Sequence, residues 1–315
     1  MASLWMVLAS FAFAAMGAGV KLGSSLFSTS EIVMYRGLIG TLMLLPIVRA
    51  RGGSLRTVFP RAHLWRSVVG VISLWLWFFG IGQLPLATAV TLNYMGPIWL
   101  AAWLFFAGWW HARGRAEWPL VLAIGTSFIG VILVLQPALE SRQWFGGMAA
   151  LASSVIAAMA FLQVRKLGQM GEPEYRIVFY FSLTMAAAGL IGALFERAPG
   201  ADFHVAGGHV TPFHVPTLHG ILLLLAIAAS GLVAQMAMTR AYSIGKVLVV
   251  ANLQYTGIIF SSLWGMALWH DRFGWRVWLG MGIILLSGCA VTFYNTSRTA
   301  RGAAIETSDP ISSEL

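Results

Sequence analysis

Two pairs of polar side chains interrupt the apolar runs of this sequence. Asn93 and Tyr94 lie in one run, and Gln254 and Tyr255 lie in another. Amide and phenol groups in apolar surroundings need hydrogen-bond partners or a wet cavity. These residues are therefore candidates for binding a small polar substrate, and the alternative is that they hydrogen-bond neighbouring helices.

Further candidates supply aromatic surface or amide groups within apolar runs. Four of them are tryptophans: Trp75, Trp77, Trp99 and Trp103. Indole rings can stack on a planar or cationic substrate, although packing and lipid contact are equally open to them. Gln163 and Gln235 are polar candidates of the same kind.

Two charged residues are candidates for a gate or a charge pair. Arg36 lies only four residues inside its apolar run, so its side chain is expected to snorkel to the outer interface. The functional alternative is a cation near the outer mouth that pairs with Glu31 or Asp271.

Enzymatic signatures are missing from the sequence. Gly245-Lys246 is followed by valine and lacks the upstream glycine of a phosphate loop, and neither a Gly-x-Ser-x-Gly nor a His-Glu-x-x-His motif occurs. Four histidines recur in one stretch: His204, His209, His214 and His219. No cysteine accompanies them, so we expect no metal site, no catalytic residue and no cofactor.

The composition shows which solvent surrounds these residues. Of 315 residues, 58% are hydrophobic and 10% are charged, and the mean hydropathy is +0.78. A soluble domain carries about 25% charged residues, so lipid must surround this chain. The net charge of +9 is spread over loops, which excludes a soluble enzyme and a nucleic-acid partner.

Ten apolar runs approach the length of about 20 residues that a membrane helix requires. They are Leu4–Val20, Ile32–Val48, Val68–Leu84, Ala87–Trp110, Trp118–Leu135, Phe145–Val164, Ile177–Phe195, Ile221–Met238, Val247–Trp269 and Gly274–Phe293. Pro97 cannot donate a hydrogen bond to the Asn93 carbonyl, so the fourth run is expected to bend there.

The distribution of basic residues orients these runs. With the N-terminus inside, 14 of the 20 Lys and Arg residues, Arg66 among them, fall in inner loops, and five fall at outer ends. This asymmetry follows the positive-inside rule and predicts ten spans with both termini in the cytoplasm. Residues 49–66 and 296–315 should then face the cytoplasm, and residues 198–219 should face outside.

The two halves of the sequence resemble each other. Lys21–Gly23 followed by Ile32–Tyr35 recurs as Lys166–Gly168 followed by Ile177–Tyr180, with the same spacing. The Asn93-Tyr94 pair has its counterpart in Gln254-Tyr255. Because each copy holds five spans, the copies would cross the membrane in opposite senses, as in secondary transporters. The predicted fold is an all-α membrane protein with two inverted five-helix repeats, 1–140 and 141–295, and a disordered tail, 296–315.

Three patterns carry a resemblance to a known family: the run Gln83–Ala89 leading to Pro97, the series Lys21, Glu31 and Arg36, and the runs Ala241–Tyr242 and Tyr255–Gly257. Over residues 4 to 293 the chain resembles the EamA family of the drug/metabolite transporter superfamily. The resemblance implies a central cavity lined by helices one to four and six to nine. Such proteins carry an acid after helix four and another after helix nine; here Asp271 occupies the second position and His111–Gly114 the first.

The expected function is secondary transport of a small metabolite, such as an amino acid or amine, by alternating access, with export as the expected direction. One alternative is proton-coupled uptake of a vitamin or nucleoside-like metabolite, and a remote one is an intramembrane lipid-modifying enzyme. The expected partners are a small-molecule substrate and the lipid bilayer. The protein is expected in the plasma membrane, in a bacterium the inner membrane, as a monomer or homodimer.

Overall fold

Every regular element in the described part of the chain is an α-helix. The computed structural model describes residues 2–50, 52–96, 98–99, 122, 125–126, 129–134, 143–196, 217–245, 250, 253–287 and 289–290. The predicted tail 296–315, Trp103, half of the fifth predicted span and most of the histidine-bearing stretch lie outside the described residues.

The longer helices of the described part of the chain are α1 Ala2–Gly23, α2 Thr29–Ala50, α3 Pro60–Gln83, α4 Leu86–Asn93, α5 Trp144–Gln169, α6 Glu174–Glu196, α7 Leu218–Ile244, α8 Thr256–Trp269 and α9 Trp275–Ser287. Six of them, α1, α2, α3, α5, α6 and α7, are long and apolar enough to cross a membrane. Helices α8 and α9 are shorter and apolar. The chain is therefore a multi-pass membrane protein.

Local sequence determines where several helices begin and end. Pro60 is the first residue of α3, a position where its missing N–H costs no hydrogen bond. The C-terminal end of α3 is set by Leu84, whose extended backbone is the conformation favoured before a proline, here Pro85. Thr217 caps α7 by accepting a hydrogen bond from the Gly220 N–H at 3.2 Å. His270 ends α8 in the left-handed conformation, with φ of 55°.

Close approach of backbones joins α2 to α6. A Cβ atom on Gly37 would lie 2.4 Å from the Ala186 nitrogen, and one on Gly189 would lie 2.3 Å from the Met34 nitrogen. Only glycine fits such a crossing. In lipid, where apolar side chains gain nothing by leaving the solvent, this kind of packing is a main source of helix association.

The other extensive contacts connect the first four helices with the next four. Helix α1 packs on α7 and α8, α3 packs on α5 and α6, α2 packs on α7, and α4 packs on α5 and α8. The bundle core thus lies between residues of the two halves of the sequence.

The third helix begins earlier than the sequence predicted. It starts at Pro60 rather than Val68, so Arg66 belongs to the helix and is no loop charge. Arg66 and His63 are only 2% and 1% exposed. Polar side chains end an apolar run in the sequence, but they continue the helix here because protein, and not lipid, surrounds them.

Candidate functional site

Two interrupted helices meet inside the bundle. Helix α4 ends at Asn93, and the chain turns at Tyr94 and Met95 before Ile98 donates to the Met95 carbonyl at 2.9 Å. The bend predicted before Pro97 is therefore present. Gln254 and Tyr255 form the corresponding turn ahead of α8.

The two turns contact each other directly. A Cβ atom on Gly257 would lie 2.4 Å from Cε2 of Tyr94, so the phenol ring rests on the backbone at the start of α8. Interrupted helices expose backbone groups and amide side chains that a continuous helix would bury or bond internally.

A cavity of about 60 Å³ lies beside these turns. Its polar lining residues are Arg66, Ser73, Asn93, Tyr94, Gln235 and Gln254. Four aromatic side chains complete much of the wall: Phe13, Trp77, Phe161 and Phe181. Helices α1, α3, α4, α5, α6 and α7 all contribute, so residues from both halves of the chain enclose the space.

One face of α3 forms the longest wall of the cavity. Arg66, Gly70, Ser73 and Trp77 are separated by four, three and four residues, which places them in one row along the helix. A Cβ atom on Gly70 would lie 2.4 Å from Nη1 of Arg66. The glycine thus leaves the room that the guanidinium occupies.

Hydrogen bonds hold part of this wall in place. The Asn93 amide donates to the Ser153 hydroxyl at 2.7 Å, and the Ser73 hydroxyl donates to the Ser153 carbonyl at 2.9 Å. Ser153 of α5 therefore ties α3 to α4. On the other side, the Tyr242 hydroxyl donates to Oε1 of Gln254 at 3.5 Å, which is a long hydrogen bond.

Several donors on the cavity wall have no acceptor within the described residues. They are Nε and Nη1 of Arg66, Nε1 of Trp77 and Nε2 of Gln235. The three side chains belong to residues that are at most 4% exposed. Buried donors are nearly always hydrogen-bonded in proteins, so a group of unpaired ones at a cavity is typical of a ligand site.

Other residues predicted for the site lie elsewhere. Trp75 packs on α6, where a Cβ on Gly192 would lie 2.3 Å from its ring. Trp99 donates to the Ser154 hydroxyl at 2.7 Å. Gln163 and Tyr255 do not line the cavity, and Oε1 of Gln163 and the Tyr255 hydroxyl are buried without a hydrogen-bond partner in the described part of the chain.

The expectation that Arg36 snorkels to the outer interface is wrong. Arg36 is 4% exposed, and its guanidinium contacts the sulfur atoms of Met16 at 3.2 Å and Met185 at 2.9 Å and the Gly231 carbonyl at 3.4 Å. The side chain turns inward because α1, α6 and α7 surround this face of α2.

Asp271 pairs with a lysine. Its Oδ2 lies 4.0 Å from Nζ of Lys21, and that ammonium group lies 4.7 Å from the centre of the Trp269 ring. The pair joins the end of α1 to the end of α8. It lies outside the cavity lining.

The sequence reasoning missed Arg66, which it assigned to a loop, and the aromatic wall of Phe13, Phe161 and Phe181. The spacing of Arg66, Gly70, Ser73 and Trp77 was a usable signal for Arg66. Within the described residues, no group of three or more His, Cys, Asp or Glu side chains could hold a metal ion.

A helical bundle with interrupted helices and a polar cavity defines a class, the multi-pass membrane transporters. The EamA-like transporter family matches residues 1–136. The pseudopaline exporter CntI of Pseudomonas aeruginosa is 32% identical over 297 residues, which cover 94% of this chain and 95% of the exporter. The chain belongs to the EamA-like transporter family, and it is a transporter and not an enzyme.

More distant relatives are also transporters. The riboflavin transporter of Vibrio cholerae is 25% identical over 310 residues, covering 95% of each chain. The S-adenosylmethionine uptake transporter of Rickettsia bellii is 22% identical over 247 residues, covering 77% of this chain and 76% of that one. A solved crystal structure has the same fold at 16% identity, with a TM-score of 0.59 over 90% of this chain and 96% of the other.

Proposed function

We propose that this protein is a secondary transporter that exports a small metabolite across the bacterial inner membrane by alternating access. The observation that carries this proposal is the polar cavity between the two halves of the chain, with an interrupted helix from each half beside it. A site between two structural halves becomes accessible from either side when one half tilts against the other.

The helix contacts support two inverted repeats, residues 1–140 and 141–295. If the two halves are repeats, α1 corresponds to α5, α2 to α6, α3 to α7 and α4 to α8. Replacing each helix by its counterpart converts the α1–α7 contact into the α3–α5 contact, and the α1–α8 contact into the α4–α5 contact. The same exchange converts α3–α6 into α2–α7, while α2–α6 and α4–α8 become themselves. Contacts that survive this exchange support an internal repeat between the first four and the next four of these helices.

Export is the proposed direction because the relative at 32% identity is an exporter, whereas the uptake transporter is 22% identical. Pseudopaline, riboflavin and S-adenosylmethionine are the first compounds to test. Proton-coupled uptake is the second candidate.

The test uses cells that express the protein and cells that carry an empty vector. We expect expressing cells preloaded with a substrate to lose it to the medium faster, and inside-out vesicles to take it up faster than vesicles without the protein. Accumulation by right-side-out vesicles and intact cells instead would reverse the proposed direction. Absence of flux for every compound that binds the purified protein would contradict a transport function for this cavity.

A further inference from the structure

We propose that the cavity binds its substrate through a carboxylate group, with Arg66 as the anion-binding residue and Gln235 and Trp77 as neutral donors for other parts of the substrate. This rests on the proposed transport function and extends it, because it names the chemical class of the substrate.

The first argument is charge. Arg66 is 2% exposed, and among the described residues no carboxylate lies within 4.0 Å of it. The residues that line the cavity include neither aspartate nor glutamate. Burying a cation without an anion costs free energy. A ligand that brings a negative charge to Arg66 removes this cost, and its binding is strengthened accordingly.

The surroundings of Arg66 increase the need for an anion. Its guanidinium carbon lies 4.1 Å from the centre of the Phe181 ring, and that of Arg36 lies 6.0 Å from the same ring. Two guanidinium groups thus share one aromatic neighbour inside the bundle. Glu172 contacts the nearby His63 at 3.2 Å, and Arg176 and Thr57 already donate to its oxygens at 2.8 and 2.7 Å.

The second argument is the supply of free donors. Nε and Nη1 of Arg66 both lack an acceptor in the described part of the chain, so N–H groups are available on more than one edge of the guanidinium. A planar guanidinium matches the two oxygens of a carboxylate, and such charge-assisted hydrogen bonds are the strong ones. Stacking on Phe181 holds the plane of the guanidinium while its edges stay available.

The third argument concerns the rest of the ligand. Nε1 of Trp77 and Nε2 of Gln235 are buried donors without acceptors in the same cavity. Trp77 lies eleven residues along α3 from Arg66, which is about 16 Å. The lining of the cavity also includes Phe13, Phe161 and Leu74. The geometry points to a molecule with a carboxylate at one end and an apolar or aromatic body with further oxygen acceptors.

The test compares matched ligands on the purified full-length protein in lipid nanodiscs. The probes are phenylalanine and tryptophan, their amides, the amines phenethylamine and tryptamine, and the acids 3-phenylpropionate and citrate. Binding is measured as a rise in melting temperature and by titration of tryptophan fluorescence. We expect binding of carboxylates, and little or none of amides and amines.

Variants locate the effect at Arg66. Arg66→Gln should weaken carboxylate binding at least tenfold, since it removes a charge-assisted hydrogen bond, and Arg66→Lys should restore part of it. Gly70→Ala retains the charge but displaces the guanidinium, so it should weaken binding as well. Arg56→Gln removes the same charge from an exposed loop position and should leave binding unchanged.

The folding of Arg66→Gln is checked without ligand. Because the substitution removes an unpaired buried cation, its melting temperature should equal or exceed that of the wild type. Equal carboxylate affinity in wild type and Arg66→Gln would overturn the proposal, as would binding of amines and amides alone or of none of the probes. If the wild type and Arg66→Gln transport a neutral compound at the same rate, only the carboxylate site is overturned. If carboxylates bind but are not transported, only the transport proposal is overturned.

Discussion

Arg36 and Arg66 place two positive charges inside the bundle, where they are 4% and 2% exposed. For Arg36 the acceptors are two methionine sulfur atoms and one carbonyl, which are weak or neutral partners for a guanidinium. For Arg66 the main contact is the face of Phe181. Both arrangements tolerate a cation without neutralising it, so the interior around Phe181 favours negative charge.

Asn93 and Gln254 occupy equivalent positions beside the two helix interruptions, and both line the cavity. We predict that Asn93→Ala and Gln254→Ala each reduce transport at least tenfold without reducing the amount of folded protein. Each loses an amide that could bond the substrate, at a cost of about 1 to 3 kcal/mol.

Initial rates of flux, normalised to folded protein from size-exclusion chromatography, provide the measurement. Ser154→Ala, which removes the hydroxyl that accepts from Trp99 outside the cavity, is the matched control. Wild-type rates in both cavity variants would assign these amides to helix packing.

Glu172, between α5 and α6, collects hydrogen bonds from Thr57 and Arg176 and a contact from His63. Burial alone would raise the pKa of its carboxyl group, but the hydrogen bonds from Thr57, Arg176 and His63 outweigh burial, so the pKa lies below its ordinary value of 4.5. A carboxylate that is favoured in the folded state stabilises the protein above pH 4.5, and this contribution is lost as the pH falls through the lowered pKa.

We therefore predict that Glu172→Gln lowers the stability by about 1 to 3 kcal/mol at pH 7, because it weakens a buried charged network. The difference from wild type should shrink as the pH falls below 4.5. Melting temperatures between pH 3.5 and 7.5 test this. Glu174→Gln is the control, since its pair with Arg240 is more exposed and should contribute little. A constant difference at all pH values would be inconsistent with the lowered pKa.

The α2–α6 crossing depends on two glycines. We predict that Gly189→Ala destabilises the protein by about 1 to 3 kcal/mol, the range for overpacked sites, since its Cβ would lie 2.3 Å from the Met34 backbone nitrogen. Gly282→Ala in α9 has open space around the added Cβ and should be neutral or slightly stabilising. Thermal unfolding in the same detergent compares them. Equal melting temperatures for the two variants would show that the α2–α6 crossing relaxes without cost.

The orientation of the whole molecule follows from its basic residues. We predict that in a Cys289→Ala background, Val205→Cys reacts with a membrane-impermeant maleimide in intact cells. Arg56→Cys should react only after permeabilisation, because residues 49–66 are predicted to face the cytoplasm. The reverse pattern would invert the topology, and labelling of both positions from outside would contradict the count of ten spans.

Energy coupling also concerns the whole molecule. Among the residues that the structure describes, no acid lines the cavity, and Asp271 faces Lys21 at 4.0 Å outside it. Because proton-coupled carriers rely on titratable groups within the membrane, we predict facilitated diffusion or exchange. Proteoliposomes with equal substrate on both sides should then show no accumulation when a pH gradient is imposed. Accumulation that disappears in Asp271→Asn would identify Asp271 as the coupling group.

Length, composition and local patterns predicted much of the fold. Lipid requires long apolar helices with their backbone groups satisfied internally, so the apolar runs and most helix positions follow from residue order. Pro97 likewise predicted the interruption of the fourth run, whereas the ninth run was predicted as continuous and is interrupted at Gln254 and Tyr255. Five of the predicted candidate residues line the cavity: Trp77, Asn93, Tyr94, Gln235 and Gln254.

Tertiary structure alone decided which face of each helix points inward. Trp75 and Trp77 are equally apolar neighbours, yet one packs on α6 and the other lines the cavity. In a soluble protein a broad polar face would distinguish the two, but lipid and a protein core are similarly apolar, so α3 carries only the sparse row of Arg66, Gly70, Ser73 and Trp77. The inward turn of Arg36 and Arg66 has the same origin, since only packing against neighbouring helices determines whether a charge reaches the interface or the cavity.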